Sequence, residues 1–140
     1  MLISKNFSPE TDKMIKCPCC YRGQLPLALI CILEDVRRHF KKPVKINSGA
    51  RCKHYNAQVG GAEFSKHLLQ KINDDYYTLA VDIAIDGVEP FNIASYIMDL
   101  PYNHLLGVGI YDTFVHIDIR GSLLGNVGHQ ARWDYRTDKG

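Results

Sequence analysis

The chain has 140 residues, and at roughly 100–200 residues per domain that is room for one domain, spanning 1–140, and no second module. With 46% hydrophobic residues, 11 Gly and 6 Pro, it is too apolar for a disordered chain and too varied for a collagenous or coiled-coil rod. Seventeen Lys plus Arg against 15 Asp plus Glu leave a formal charge of +2, far short of what phosphate-backbone neutralisation demands, so no nucleic-acid partner is expected.

No apolar run approaches the roughly 18–20 residues that span a bilayer, so membrane insertion is not expected. Met1-Leu2-Ile3-Ser4-Lys5-Asn6 lacks the basic-then-apolar pattern of a signal peptide, and synthesis in a cytoplasm is the expectation.

In chain order, residues 1–23 carry no clear period and read as an N-terminal arm laid over the core, with Ser8-Pro9-Glu10 as a helix start. Apolar residues at Leu25, Leu29, Ile32, Leu33, Val36 and Phe40 follow helical spacing, with Glu34, Arg37, Arg38 and Lys41 on the other side, so the main helix is predicted over 25–40. Pro43 stops it. Val44-Lys45-Ile46-Asn47 alternates like a half-buried strand entering the Ser48-Gly49 turn. Residues 52–58 form a helical turn, which Gly60-Gly61 breaks through positive φ and close backbone approach.

A loop carrying Ser65 and His67 follows. Residues 79–85 then read as a strand, Pro90–Leu100 as a second amphipathic helix, and Gly107–Tyr111 with Phe114–Ile119 as two further strands. The predicted fold is α+β, a small and largely antiparallel sheet with the main helix packed on one face. The tail, 121–140, folds back over that sheet or frays.

Zinc sites in amide-splitting enzymes need three protein ligands and an open position, usually histidines with one carboxylate. Three segments offer such groups: Ser65-Lys66-His67, Ala80-Val81-Asp82-Ile83 and Phe114-Val115-His116-Ile117-Asp118. Alternate strand residues share a face, so His116 and Asp118 project together, and Asp82 projects with Ala80 and Ala84. The plainer reading makes each histidine a hydrogen-bonded structural residue and Asp82 the partner of Arg51 or Arg120 in a salt bridge.

Six ordered motifs resemble the zinc D-alanyl-D-alanine carboxypeptidase family, bacterial and phage peptidases that cut peptidoglycan stem peptides. They are Ile46-Asn47-Ser48-Gly49-Ala50-Arg51-Cys52, His54-Tyr55-Asn56, Val59-Gly60-Gly61-Ala62, Ser65-Lys66-His67, Ala80-Val81-Asp82-Ile83, and Gly107-Val108-Gly109-Ile110-Tyr111 with Phe114-Val115-His116-Ile117-Asp118. The resemblance covers 24–120, the family core, and extends to Trp133. It implies zinc on His67, Asp82 and His116, a substrate- or oxyanion-holding role for Arg51, and a peptidoglycan peptide as substrate. A guanidinium is a suitable donor fork for that role, although it serves equally well to hold a turn. Ser48 caps the following turn or orients Arg51, the cap being favoured. The site of action implied is the cell wall, reached by release or delivery.

Two departures stand out. The family's spacing between first histidine and aspartate is six residues, whereas His67 and Asp82 enclose fourteen, as though residues 70–79 held an eight-residue insertion. Asp74 sits at the family interval but in a stretch that reads as a polar loop, so Asp82 is the predicted ligand. A mobile insertion would cover the cleft, select the peptide or misplace His67. The second departure is Thr113, where many relatives carry an acid three residues before the second histidine. Asp118 is the first candidate to activate water or to orient His116, and Asp112 is the second.

Tyr111, Trp133, Tyr76 and Tyr77 are candidates to line the cleft, with core packing as the commoner fate. Of the five cysteines, Cys17, Cys19, Cys20 and Cys52 form a structural zinc site, a disulfide or free thiols; the spacing does not read as the usual C-x-x-C pair. Cys31 is expected inside, on the apolar side of the main helix. The competing classes are a relative that has lost catalysis and serves as a phage structural or cell-wall-binding module, and a metal-binding or redox module built on the cysteines.

Overall fold

The computed structural model describes Ser4 and residues 6–10, 12–121 and 130–137. Helix α1 spans Leu27–Phe40, β1 Lys45–Ser48, α2 Lys53–Gln58, β2 Gln70–Ile72, β3 Asp75–Tyr77, β4 Ala80–Ala84, α3 Pro90–Met98, β5 Gly107–Ile110, β6 Val115–Asp118 and β7 Ala131–Asp134. Five strands form one sheet in the order β1-β4-β6-β5-β7, antiparallel except for the β5-β7 pair, and β2 and β3 form a separate hairpin. The fold is mixed α and β, with the main helix against a mostly antiparallel sheet.

The sheet's period of two sorts its side chains. Val81, Ile83, Val115 and Ile117 turn to the core, where they meet Leu29, Leu33 and Val36 of α1 and Ile93 and Ile97 of α3, all buried. Truncating one such residue, Leu33→Ala for example, removes transfer energy and leaves a cavity, about 2–5 kcal/mol in total. The other face carries Asp82, His116 and Asp118.

Lys41 closes α1 in the left-handed conformation, and its N–H donates to the Arg37 carbonyl. Cys31 is exposed, against the sequence expectation. At 100° per residue it stands some 200° around the helix from Leu29, away from the stripe formed by Leu29, Leu33 and Val36. Ser8-Pro9-Glu10 starts no α-helix. The Asp12 N–H donates to the Ser8 carbonyl, and Asp12 then caps a 3-10 turn at Lys13–Ile15.

The stretch read as a polar loop is the β2-β3 hairpin. Asn73 and Asp74 both have positive φ, 50° and 71°, the conformation a tight two-residue hairpin turn needs. The hairpin leans on the arm: Gln24 bridges Tyr77, the Gln24 N–H donates to the Tyr76 carbonyl, and Arg22 stacks 4.8 Å over the Tyr76 ring. Of the tail, β7 adds to the sheet edge beside β5, and residues 122–129 and 138–140 lie outside the described residues.

Candidate metal centre and cleft

Asp82 and His116 are direct cross-strand partners in the β4-β6 ladder, so their distance is set by sheet spacing. His67 arrives differently. It ends the loop after α2 and is tied to the strand-like segment past β1, the Arg51 N–H donating to its carbonyl at 2.8 Å and the Leu69 N–H donating to the Arg51 carbonyl at 2.9 Å. His67 Nε2 and His116 Nδ1 each lie 3.1 Å from Asp82 Oδ1, and all three residues are buried.

Each imidazole is held by its other nitrogen. A carbonyl can only accept, so His67 Nδ1 carries a proton and donates it to Gly49 at 2.7 Å, leaving Nε2 with its lone pair toward Asp82. His116 Nε2 donates to Asp118 Oδ2 at 2.7 Å, which leaves Nδ1 with its lone pair. Two imidazole lone pairs and a carboxylate oxygen therefore face one another, and that arrangement is stable only with a cation among them, a proton or a metal ion. The three residues form a group that can hold a metal, two nitrogens and one oxygen within 4.8 Å, the donor types zinc prefers.

Burial alone would raise the Asp82 carboxyl, but the His116 and His67 imidazoles against it, which share any proton held between them, keep it well below the usual carboxylate range. Asp118 behaves likewise: burial opposes ionisation, and Arg120 first, then His116, hold it ionised. Arg120 grips Asp118 through both oxygens, Nε to Oδ1 and Nη2 to Oδ2, each at 2.8 Å.

The glycines of β5 make room for this face. A Cβ on Gly107 would stand 2.4 Å from Asp118 Oδ2, and one on Gly109 would stand 2.2 Å from the indole nitrogen of Trp133. Trp133 comes from β7, in register with Gly109, and its Nε1 donates to the Tyr111 hydroxyl at 2.9 Å.

These side chains border a cleft of about 600 Å³ lined by Arg51, His67, Asp82, His116, Tyr111 and Trp133, with Phe64 and Phe114 as apolar rims. Arg51 reaches in from the SGxR turn. Its Nη2 lies 3.7 Å from Asp82 Oδ2 and 3.4 Å from Ser48 Oγ, its Nη1 donates to Asn56 Oδ1 at 3.3 Å, and its Nε is buried without an acceptor among the described residues. Ser48 thus steadies Arg51, and the cap favoured for it belongs to Cys52, whose Sγ accepts from the Tyr55 N–H. Gly60 and Gly61 also line the cleft: Gly60 has φ 71°, and a Cβ on Gly61 would overlap Asn56 Oδ1 at 2.0 Å and touch Arg51 Nη1 at 3.0 Å.

Neither acid offered for proton transfer lines the cleft. Asp118 is fully buried behind His116, and Asp112 turns to the tail, where it accepts from the Thr137 N–H at 2.8 Å. Tyr76, Tyr77 and the rest of the hairpin stay away from the cleft, as does Asp74, exposed at the hairpin tip. Of the two partners of Arg51, Ser48 belongs to the same motif, whereas Asn56 comes from the next one, and sequence order alone does not connect it to the guanidinium.

The chain matches the family model described as Peptidase M15 over residues 9–118. It belongs to that peptidase family, of the zinc D-alanyl-D-alanine carboxypeptidase kind, and the match takes in the arm from residue 9 onward as well as all three candidate ligands. No curated protein and no solved structure matches it.

Proposed function

We propose that the chain is a zinc peptidase that hydrolyses an amide bond in peptidoglycan stem peptides, as a D,D-carboxypeptidase or an endopeptidase. The observation that carries the reading is the convergence of His67 Nε2, His116 Nδ1 and Asp82 Oδ1, each histidine fixed through its other nitrogen. The residues fit zinc, which supplies Lewis acidity toward a scissile carbonyl and toward water.

The protein's own groups do the rest. Arg51, anchored by Ser48 and Asn56, presents guanidinium N–H groups to a substrate carboxylate or to the oxyanion that develops on the attacked carbonyl. Tyr111 has a lone pair engaged by Trp133, so its own O–H is free to donate to the peptide. Asp118 keeps His116 in the tautomer that leaves Nδ1 available, and Arg120 keeps Asp118 ionised.

One observation favours a second reading, a family-like module without catalysis that binds cell-wall peptides: among the described residues, no carboxylate besides Asp82 lines the cleft. Mass spectrometry of purified muropeptides separates the two. Incubated with zinc-loaded protein, the stem peptides lose the mass of an amino acid or split, and His67→Ala abolishes this. Unchanged muropeptides retained by the loaded protein would establish the binding module instead.

A further inference from the structure

A second set of soft donor atoms converges outside the cleft, where the arm meets the Arg51 turn. The sulfurs of Cys17, Cys20 and Cys52 lie within 4.8 Å of one another, and Cys19 sits in the turn between the first two. We propose that Cys17, Cys20 and Cys52, with Cys19 as the fourth ligand, form a structural site for a thiophilic divalent cation, zinc first, that clamps the arm to the cleft.

The local backbone supports this. Cys17 and Cys20 are separated by two residues, a C-x-x-C pair that the run Cys17-Pro18-Cys19-Cys20 disguises. The segment folds back on itself: the Tyr21 N–H donates to the Cys17 carbonyl, and the Cys17 N–H donates to the Arg22 carbonyl, both at 2.8 Å. Tyr21 closes the turn at φ 60°, a left-handed position that a non-glycine residue disfavours, so the turn is held by something besides its own preference. Backbone N–H groups point at the sulfurs, Cys52 N–H at Cys17 Sγ, 3.3 Å, and Tyr55 N–H at Cys52 Sγ, 3.4 Å. Such donors stabilise thiolates that ligate a metal.

A tetrahedral ion with bonds of about 2.3 Å sets its sulfurs roughly 3.8 Å apart, against separations of at most 4.8 Å among Cys17, Cys20 and Cys52. A disulfide would engage two of the four thiols and leave two beside it. The site's place gives it a task. Cys52 follows Arg51 directly, and the Ala50 N–H already donates to the Ile15 carbonyl of the arm at 2.9 Å. A metal shared between 17–20 and 52 would fix the backbone from which Arg51 enters the cleft, whatever the cleft's chemistry.

Cobalt titration of the reduced, metal-free wild-type chain tests the site. Thiolate-to-cobalt charge-transfer absorption is expected, retained in His116→Ala and Cys31→Ser and lost in Cys20→Ser and Cys52→Ser. With both centres competent, the wild type binds two metal ions per chain by elemental analysis, and Cys52→Ser binds one. Folded wild type that binds cobalt without the thiolate band would overturn the proposal. So would an intact mass two hydrogens short after aerobic purification with no thiolate-bound metal. The wild-type spectrum decides even if a cysteine variant fails to fold.

Discussion

Trp133 lies across Gly109 with its indole nitrogen where a Cβ would be, 2.2 Å from the position a side chain at 109 would occupy. The cleft wall formed by Trp133 and Tyr111 therefore depends on a bare backbone in β5. Gly109→Ala is expected to push the indole off the strand and to cost about 1–3 kcal/mol, the usual penalty for overpacking. The chain has one tryptophan, so its fluorescence reports the displacement directly, as a red shift with the melting temperature lowered. Unchanged emission would show that the indole does not rest on Gly109.

Asp82 and Asp74 compete for the ligand role on sequence spacing, and the geometry separates them: Asp82 touches both histidines, whereas Asp74 stands in the hairpin turn. Asp82→Asn is expected to abolish zinc binding at the histidine centre. Asp74→Asn, which tolerates the left-handed conformation, is expected to leave it intact. Calorimetric titration in the Cys52→Ser background isolates this centre from the cysteine cluster.

Asp118 makes its contribution through His116. Asp118→Asn keeps the side chain's shape but weakens the acceptor for His116 Nε2–H, and a loss of 10–100-fold in zinc affinity is expected, as for other partners of metal-bound histidine. If Asp118 instead took the proton in catalysis, the substitution would lower turnover at saturating zinc and leave affinity alone.

Tyr102 gives a pH-dependent stability unrelated to the cleft. Burial, and then its hydrogen bond to Asp35 Oδ2 at 3.0 Å, push the phenol up to about 12. An unfolded tyrosine ionises near pH 10. The folded pKa is raised, so the stabilisation is complete below about pH 10 and is lost as pH climbs through the interval to about 12. In ultraviolet titration Tyr102→Phe should remove one late-ionising phenol, and at neutral pH it should cost about 1 kcal/mol.

What the sequence made legible followed from short-range periodicity. Alternation in Val115-His116-Ile117-Asp118 placed the two polar residues on one face, and the helical stripe of Leu29, Leu33 and Val36 placed α1 on the other. What it hid was non-local or disguised by composition. The Asn73-Asp74 turn looks like plain loop in sequence because its flanking strands are only three residues long, too short to show a period. The partners of Arg51 and the burial of Asp118 depend on how β1, α2 and β5 meet, which no local window contains.

The ladder pairing of Asp82 with His116 constrains the three ligands unequally. Their separation in space is dictated by neighbouring strands, and His67 is tied to the Arg51 segment and to Thr78, so the approach of His67 to Asp82 is set by these contacts and not by the number of residues between them. That stretch holds the β2-β3 hairpin, which lies away from the cleft. The two-residue step from His116 to Asp118 is by contrast rigid, because one lost or gained residue there would turn the carboxylate away from its imidazole.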